Sequence, residues 1–227
     1  MTIEKVQIVE KIFEANDQVA AQTQTQLTNS GVFSINIMAS PGAGKTSVIL
    51  KTISKLSGKL RMGVIEGDTA PVTIDSDKVM AMGIPAVQIN TGGQCHLDAV
   101  MIDSALKHFD LNQLDLIIVE NVGNLICPAS FKIGTHANVV ISSIPEGDDK
   151  PYKYTNIYRG IDVLLINKID LMPYIDFRMD YFQQGVEILN PGLTTFQVSC
   201  KTEEGFDRWI DWISTRVSEF KNKTANA

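Results

Sequence analysis

The stretch Ala39-Ser40-Pro41-Gly42-Ala43-Gly44-Lys45-Thr46 constrains this chain more than any other. An apolar, strand-like run at 32–38 precedes it and a helix-compatible run at 47–56 follows. Strand, glycine loop and helix form the context that a phosphate-binding P-loop requires. Small residues let backbone N–H groups converge on phosphate oxygens, and the following helix turns its positive end toward the same anion. In this reading Gly42, Ala43, Gly44, Lys45, Thr46 and Ser47 hold a nucleotide. Lys45 reaches the β- and γ-phosphates, and the Thr46 hydroxyl ligates Mg²⁺. Ala39 stands where such loops usually carry their first glycine. Alanine lacks the freedom of glycine at positive φ, yet Gly42 and Gly44 remain, so the loop is expected to form.

Beyond this loop the chain alternates strand and helix patterns. Strands are expected at 32–38, 61–66, 86–89, 114–119, 138–144, 163–166 and 194–198. Helices are expected at 46–56, 72–82, 97–109, 176–189 and 203–220, the last with Phe206, Ile210, Ile213, Val217 and Phe220 at helical spacing. Such alternation predicts an α/β fold, a P-loop NTPase with a mostly parallel sheet and helices on both faces. Ligands then sit at the carboxyl ends of the strands. Residues 1–30 read as a separate helix packed on the outside, with Val6, Val9, Phe13 and Ala20 near one face. Residues 31–227 read as the P-loop domain.

The net charge of −6 argues against nucleic acid as a partner. No apolar run approaches the ~20 residues that span a bilayer. Glu4, Lys5, Glu10 and Lys11 interrupt any signal-like pattern. A cytoplasmic protein with no membrane partner is expected. Its three cysteines, an odd number, point away from a disulfide framework and toward metal or catalytic roles.

Asn167-Lys168-Ile169-Asp170 follows an apolar strand and resembles the guanine-recognition motif of GTPases. The Asp170 carboxylate can accept from guanine N1–H and the exocyclic amine, a donor pair adenine lacks. Asn167 can bond the base edge, and the Lys168 stem can lie over the ring. Ser199-Cys200-Lys201 resembles the last GTPase motif, whose backbone N–H groups bond the guanine oxygen. Acidic segments offer a Mg²⁺ site beside Thr46. Asp68 ends the second strand in Glu66-Gly67-Asp68, and Asp75 lies shortly after it. Glu120-Asn121-Val122-Gly123 resembles the Asp-x-x-Gly switch with Glu in place of Asp. Mg²⁺ keeps several waters, so one or two carboxylates suffice. The Gly123 N–H can sense a γ-phosphate and order the loop after it. Asp68 or Asp75 can position water. For Asp75 a solvated loop carboxylate is an equal reading.

Cys95 and His96 lie between a strand and a helix, and Cys127 lies just past the switch. Thiolate and imidazole suit nickel, zinc and copper, not magnesium. Adjacent Cys95 and His96 are awkward ligands for one tetrahedral site. With Cys127 they supply at most three ligands, where a closed zinc site wants four. Two chains face to face would supply the rest. The bland alternatives are buried cysteines and a helix-capping His96. His108 and His136 show no evident partner.

The run Glu120-Asn121-Val122-Gly123-Asn124-Leu125-Ile126-Cys127-Pro128-Ala129, the Cys95-His96 pair and the P-loop together resemble the HypB family. That family comprises GTPases that assist nickel delivery to [NiFe]-hydrogenase. The resemblance covers the chain from about residue 30 onward. It implies a GTP-dependent homodimer with a nickel or zinc site at its interface, built from Cys95, His96 and Cys127. It implies a HypA-type metallochaperone and the hydrogenase large-subunit precursor as partners. It places Lys153, in the loop after Glu146-Gly147-Asp148-Asp149, near the nucleotide across the dimer. Many members carry an N-terminal Cys-x-x-Cys-Gly-Cys motif, and some a His-rich stretch. Neither precedes Cys95, so no N-terminal nickel site or nickel store carries over. The expected catalytic set is Lys45, Asp68, Asp75 and Glu120. The rivals are a related accessory GTPase for urease or a cobalamin enzyme, a small-molecule kinase, and a nucleotide-gated scaffold without metal delivery.

Overall fold

The computed structural model describes residues 8–69 and 74–225, with side chains from residue 10 onward except those of 74–77. Val6 and the side chains of Val9 and Asp75 lie outside the described residues. Among the described residues the seven strands are β1 (Phe33–Ala39), β2 (Met62–Asp68), β3 (Ala86–Asn90), β4 (Leu116–Glu120), β5 (Ala137–Ser143), β6 (Val163–Asn167) and β7 (Thr194–Gln197). They form one sheet in the order β3-β2-β4-β1-β5-β6-β7, and every pairing is parallel. All seven expected strands are present, shifted by one or two residues.

The helices are α1 (Ile8–Asn29), α2 (Lys45–Leu56), α3 (Ile74–Ala81), α4 (Ala99–Leu106), α5 (Lys150–Lys153), α6 (Thr155–Arg159), α7 (Met179–Leu189) and α8 (Phe206–Ala225). Side chains alternate across each strand, and the core divides accordingly. Ile35, Ile37, Leu116, Ile118, Val139 and Leu165 pack with α2 and α8 through Val48, Ile53, Trp209 and Ile213. Ile65, Ile117 and Val119 face the other way, onto Leu27 of α1 and Ile102 and Leu106 of α4. Val140, Leu164 and Ile166 meet Ile157, Tyr158 and Phe182 of α6 and α7. Helices therefore cover both faces.

Four differences from the sequence reading matter. α4 begins at Ala99 because Asp98 caps it, accepting from the Met101 N–H at 2.8 Å. The short helices α5 and α6 occupy a stretch with no amphipathic repeat to announce them. A 3₁₀ turn at Ile169–Tyr174 follows the Asn-Lys-x-Asp motif. The helix expected from 176 opens only at Met179.

Candidate nucleotide and metal sites at the carboxyl strand ends

The P-loop joins β1 to α2. Ala39 is the last residue of β1, fully buried and in register with Ile141 of β5. It keeps extended backbone and has no need of positive φ, so alanine serves where glycine is usual. Positive φ is required three and five residues later, at Gly42 (79°) and Gly44 (100°). Gly44 has a second constraint. A Cβ there would lie 2.5 Å from Nδ2 of Asn167.

That contact reflects how the guanine motif docks. Asn167 is buried at the end of β6, and its Nδ2 donates to the Ala43 carbonyl at 2.9 Å. Its Oδ1 accepts from the Cys200 thiol at 3.7 Å. Asn167 therefore latches the P-loop to the 199–201 loop. Lys168 takes left-handed backbone (φ 61°) and donates to the Gly42 carbonyl at 2.6 Å. Ser199, buried, donates to Asp170 Oδ1 at 2.6 Å and accepts from the N–H groups of Lys201 and Thr202 at 3.2 and 3.1 Å. Ser199 thus orients the Asp170 carboxylate. Burial pushes the Cys200 thiol up to about 11, which keeps it neutral beside Asn167.

On the phosphate side, Thr46 Oγ1 donates to Glu120 Oε1 at 3.0 Å. Glu66 of β2 lies in register with Glu120, so both carboxylates project to the α2 face, and Asp68 follows two residues on. Hydroxyl and carboxylate oxygens are the hard donors that Mg²⁺ takes. Gly123 lies against the P-loop: a Cβ there would be 3.2 Å from Pro41 Cγ and 3.4 Å from Lys45 Nζ. Glu146 spans from the Ser40 hydroxyl to Ser143, whose N–H and hydroxyl it holds at 2.7 and 2.8 Å. Lys153 pairs with Asp149 of its own chain and is largely exposed.

The three soft donors converge. Ligand atoms of Cys95, His96 and Cys127 all lie within 4.8 Å of one another. Adjacency proves no obstacle, because the turn after β3 folds the two side chains toward the same point. Cys95 Sγ is 3.9 Å from His96 Nδ1. The neighbouring Cys127 thiol, with burial, raises the Cys95 thiol above its usual range. Burial lowers His96, whose ring stacks on Phe131 at 3.9 Å. Two thiols and an imidazole fit nickel or zinc. Asn124 of the switch loop ties this cluster down, donating to the Cys95 carbonyl at 3.2 Å.

Residues 33–197 match the family model for the CobW/HypB/UreG nucleotide-binding domain. The hydrogenase maturation factor HypB of Azotobacter vinelandii is 40% identical over 208 residues, which span 92% of this chain and 68% of that one. The chain belongs to the HypB family of hydrogenase maturation factors. The HypB structure from Archaeoglobus fulgidus superposes with a TM-score of 0.84 at 35% identity, covering 90% of this chain and 99% of that one. HypB of Helicobacter pylori, solved in complex with nickel, gives 0.85 at 33% identity over 90% and 96% of the two chains. The HypB fold therefore extends over nearly all of this chain.

Sequence reasoning missed His136 as a structural residue. Its Nδ1 accepts from the Ser34 N–H at 3.1 Å and Nε2 meets Thr28 Oγ1 at 3.0 Å. The ring packs between Phe33 and Phe220. These partners are distant in sequence, so no local signal marks them. Asn121 fills one of the x positions of the switch motif, yet it is buried with both Oδ1 and Nδ2 hydrogen-bonded.

Proposed function

We propose that this chain is a GTP-hydrolysing metallochaperone of hydrogenase maturation, whose nucleotide state controls a nickel or zinc site at a homodimer interface. The observation that carries this reading is the shared 120–129 loop. Its first residue accepts from Thr46, its Gly123 lies beside the P-loop where a Cβ would meet Lys45 Nζ at 3.4 Å, and its Cys127 joins Cys95 and His96. A change at the phosphate end therefore reaches the soft ligands through a few residues of one segment.

Backbone N–H groups of Gly42, Ala43, Gly44 and Thr46 cradle the phosphates, and Lys45 neutralises them. Asp170, oriented by Ser199, selects guanine. Thr46 and Glu120, with Asp68, would hold Mg²⁺, which when bound neutralises charge on the phosphates. Asp68 or Asp75 positions the attacking water. Ordering of the switch by GTP presents Cys127 and the neighbouring exposed Ile126 to a second chain. The metal cargo passes between a HypA-type metallochaperone and the hydrogenase large-subunit precursor, in the cytoplasm. Lys153 approaches the nucleotide of the partner chain. Lys153→Ala should weaken GTP-dependent dimerisation measured by sedimentation, and unchanged association would reject that role.

A Ni²⁺ titration of metal-free protein, once with GDP and once with a non-hydrolysable GTP analogue, tests the reading. Thiolate-to-nickel charge-transfer absorption reports binding. Affinity or stoichiometry should differ between the nucleotides, and Cys127→Ala should abolish the band. Binding indifferent to nucleotide would leave a GTPase with structural cysteines.

A further inference from the structure

Glu120 and Asn121 are consecutive, so they project to opposite faces of the sheet. Glu120 faces α2 and the P-loop, where it accepts from Thr46. Asn121 crosses to the face covered by α1 and α4 and is 1% exposed. Its backbone N–H still donates to the Ile37 carbonyl at 3.0 Å, which holds it to β1. Its Oδ1 accepts from the Leu97 N–H at 3.1 Å and from the Val122 N–H at 2.9 Å. Its Nδ2 donates to Asn36 Oδ1 at 3.1 Å, and Asn36 Nδ2 donates in turn to Asn138 Oδ1 at 3.1 Å. The amide of Asn121 is thus clamped from behind by side chains of β1 and β5.

Leu97 follows His96 directly. Its side chain is fully buried and fills the space beside Gly67 of β2, where a Cβ would come within 2.7 Å of it. The Cys95-His96 turn is therefore anchored at Leu97, by its side chain against Gly67 and by its N–H on Asn121. A buried amide bridging two backbone N–H groups tolerates little displacement, because any donor left behind loses its partner in a dry site. If the Glu120–Gly123 segment shifts with the γ-phosphate, the Leu97 N–H must follow or be orphaned.

We infer that Asn121 is the positioning residue that couples the nucleotide to the metal ligands, holding Cys95 and His96 in step with the switch through the Leu97 N–H. The inference rests on the reading of a GTP-controlled nickel site. Coupling of this kind is a ratio of affinities. The test is Ni²⁺ affinity of the full chain at saturating GDP and at saturating non-hydrolysable GTP analogue. In Asn121→Ala the ratio between the two should fall to within about threefold of one. Asn121→Asp keeps an oxygen that can accept from both N–H groups and should retain most of the wild-type ratio, although a buried carboxylate should lower thermal stability more than alanine does. A role in stability alone would order the two variants the opposite way. Asn36→Ala leaves the Leu97 acceptor in place but unclamped, and should give an intermediate ratio; it decides the matter if Asn121→Ala does not fold. A wild-type ratio that survives in the folded alanine variants, or an aspartate variant that loses the ratio, overturns the inference. A wild-type ratio of one overturns the GTP-controlled reading itself and this inference with it.

Discussion

At the scale of single residues, the two P-loop glycines differ in what they can tolerate. Both have positive φ, but only Gly44 faces another side chain, Asn167. Alanine at 42 should meet backbone strain alone, about 1 kcal/mol. Alanine at 44 meets strain and a clash with the buried latch to the guanine motif. Gly44→Ala should therefore weaken binding of a fluorescent GDP analogue by about tenfold or more, and Gly42→Ala by clearly less. Equal losses would show that the Asn167 contact gives way without cost.

Among the elements, α1 is more than a cover on the sheet. Asn16 bridges two loops, donating to the Lys132 carbonyl at 2.8 Å and accepting from the Ala99 N–H at 3.0 Å. Phe13 of α1 packs on Phe131 at 5.0 Å, and Phe131 stacks on His96. A column of three rings thus runs from α1 to the soft-ligand cluster. Aromatic contacts of this kind contribute about 0.5–1.5 kcal/mol each. Phe131→Ala should weaken Ni²⁺ binding by about three- to tenfold by freeing the His96 ring, with guanine nucleotide affinity as the control. Unaltered nickel affinity would show that Phe131 contributes only to packing.

For the whole molecule, His136 joins α1, β1 and α8. Its Nδ1 accepts from Ser34, which requires the neutral ring, and burial lowers its pKa to about 4 from 6.5. The unfolded chain takes up a proton on this residue between those values while the folded chain does not. Stability is therefore full above about pH 6.5 and falls as pH drops toward 4, by up to about 3 kcal/mol. Urea midpoints of metal-free protein should decline across that window, and His136→Gln should flatten the decline. A slope unchanged by the substitution would assign it to other groups.

The local chemistry of this chain is written in short windows, which is why so much of it could be read from sequence. A P-loop, a strand with alternate buried residues and an Asn-Lys-x-Asp motif each depend on neighbours a few residues apart. Seven strands and the long helices followed from such patterns, as did the HypB resemblance. Other features depended on pairs remote in sequence. Asn167 reaches Ala43, Asn121 reaches Leu97, and His136 reaches Thr28 and Ser34. The α5 and α6 turns carry no repeat long enough to mark them. Above all, spacing supplied Cys95, His96 and Cys127 only as soft donors, and it was the HypB resemblance, not the residue pattern, that implied their convergence. The parallel sheet order decides it, because β2 alone separates β3 from β4, and the loops that leave their carboxyl ends share one edge of the sheet. Ligand type is a property of residues; ligand geometry is a property of strand order.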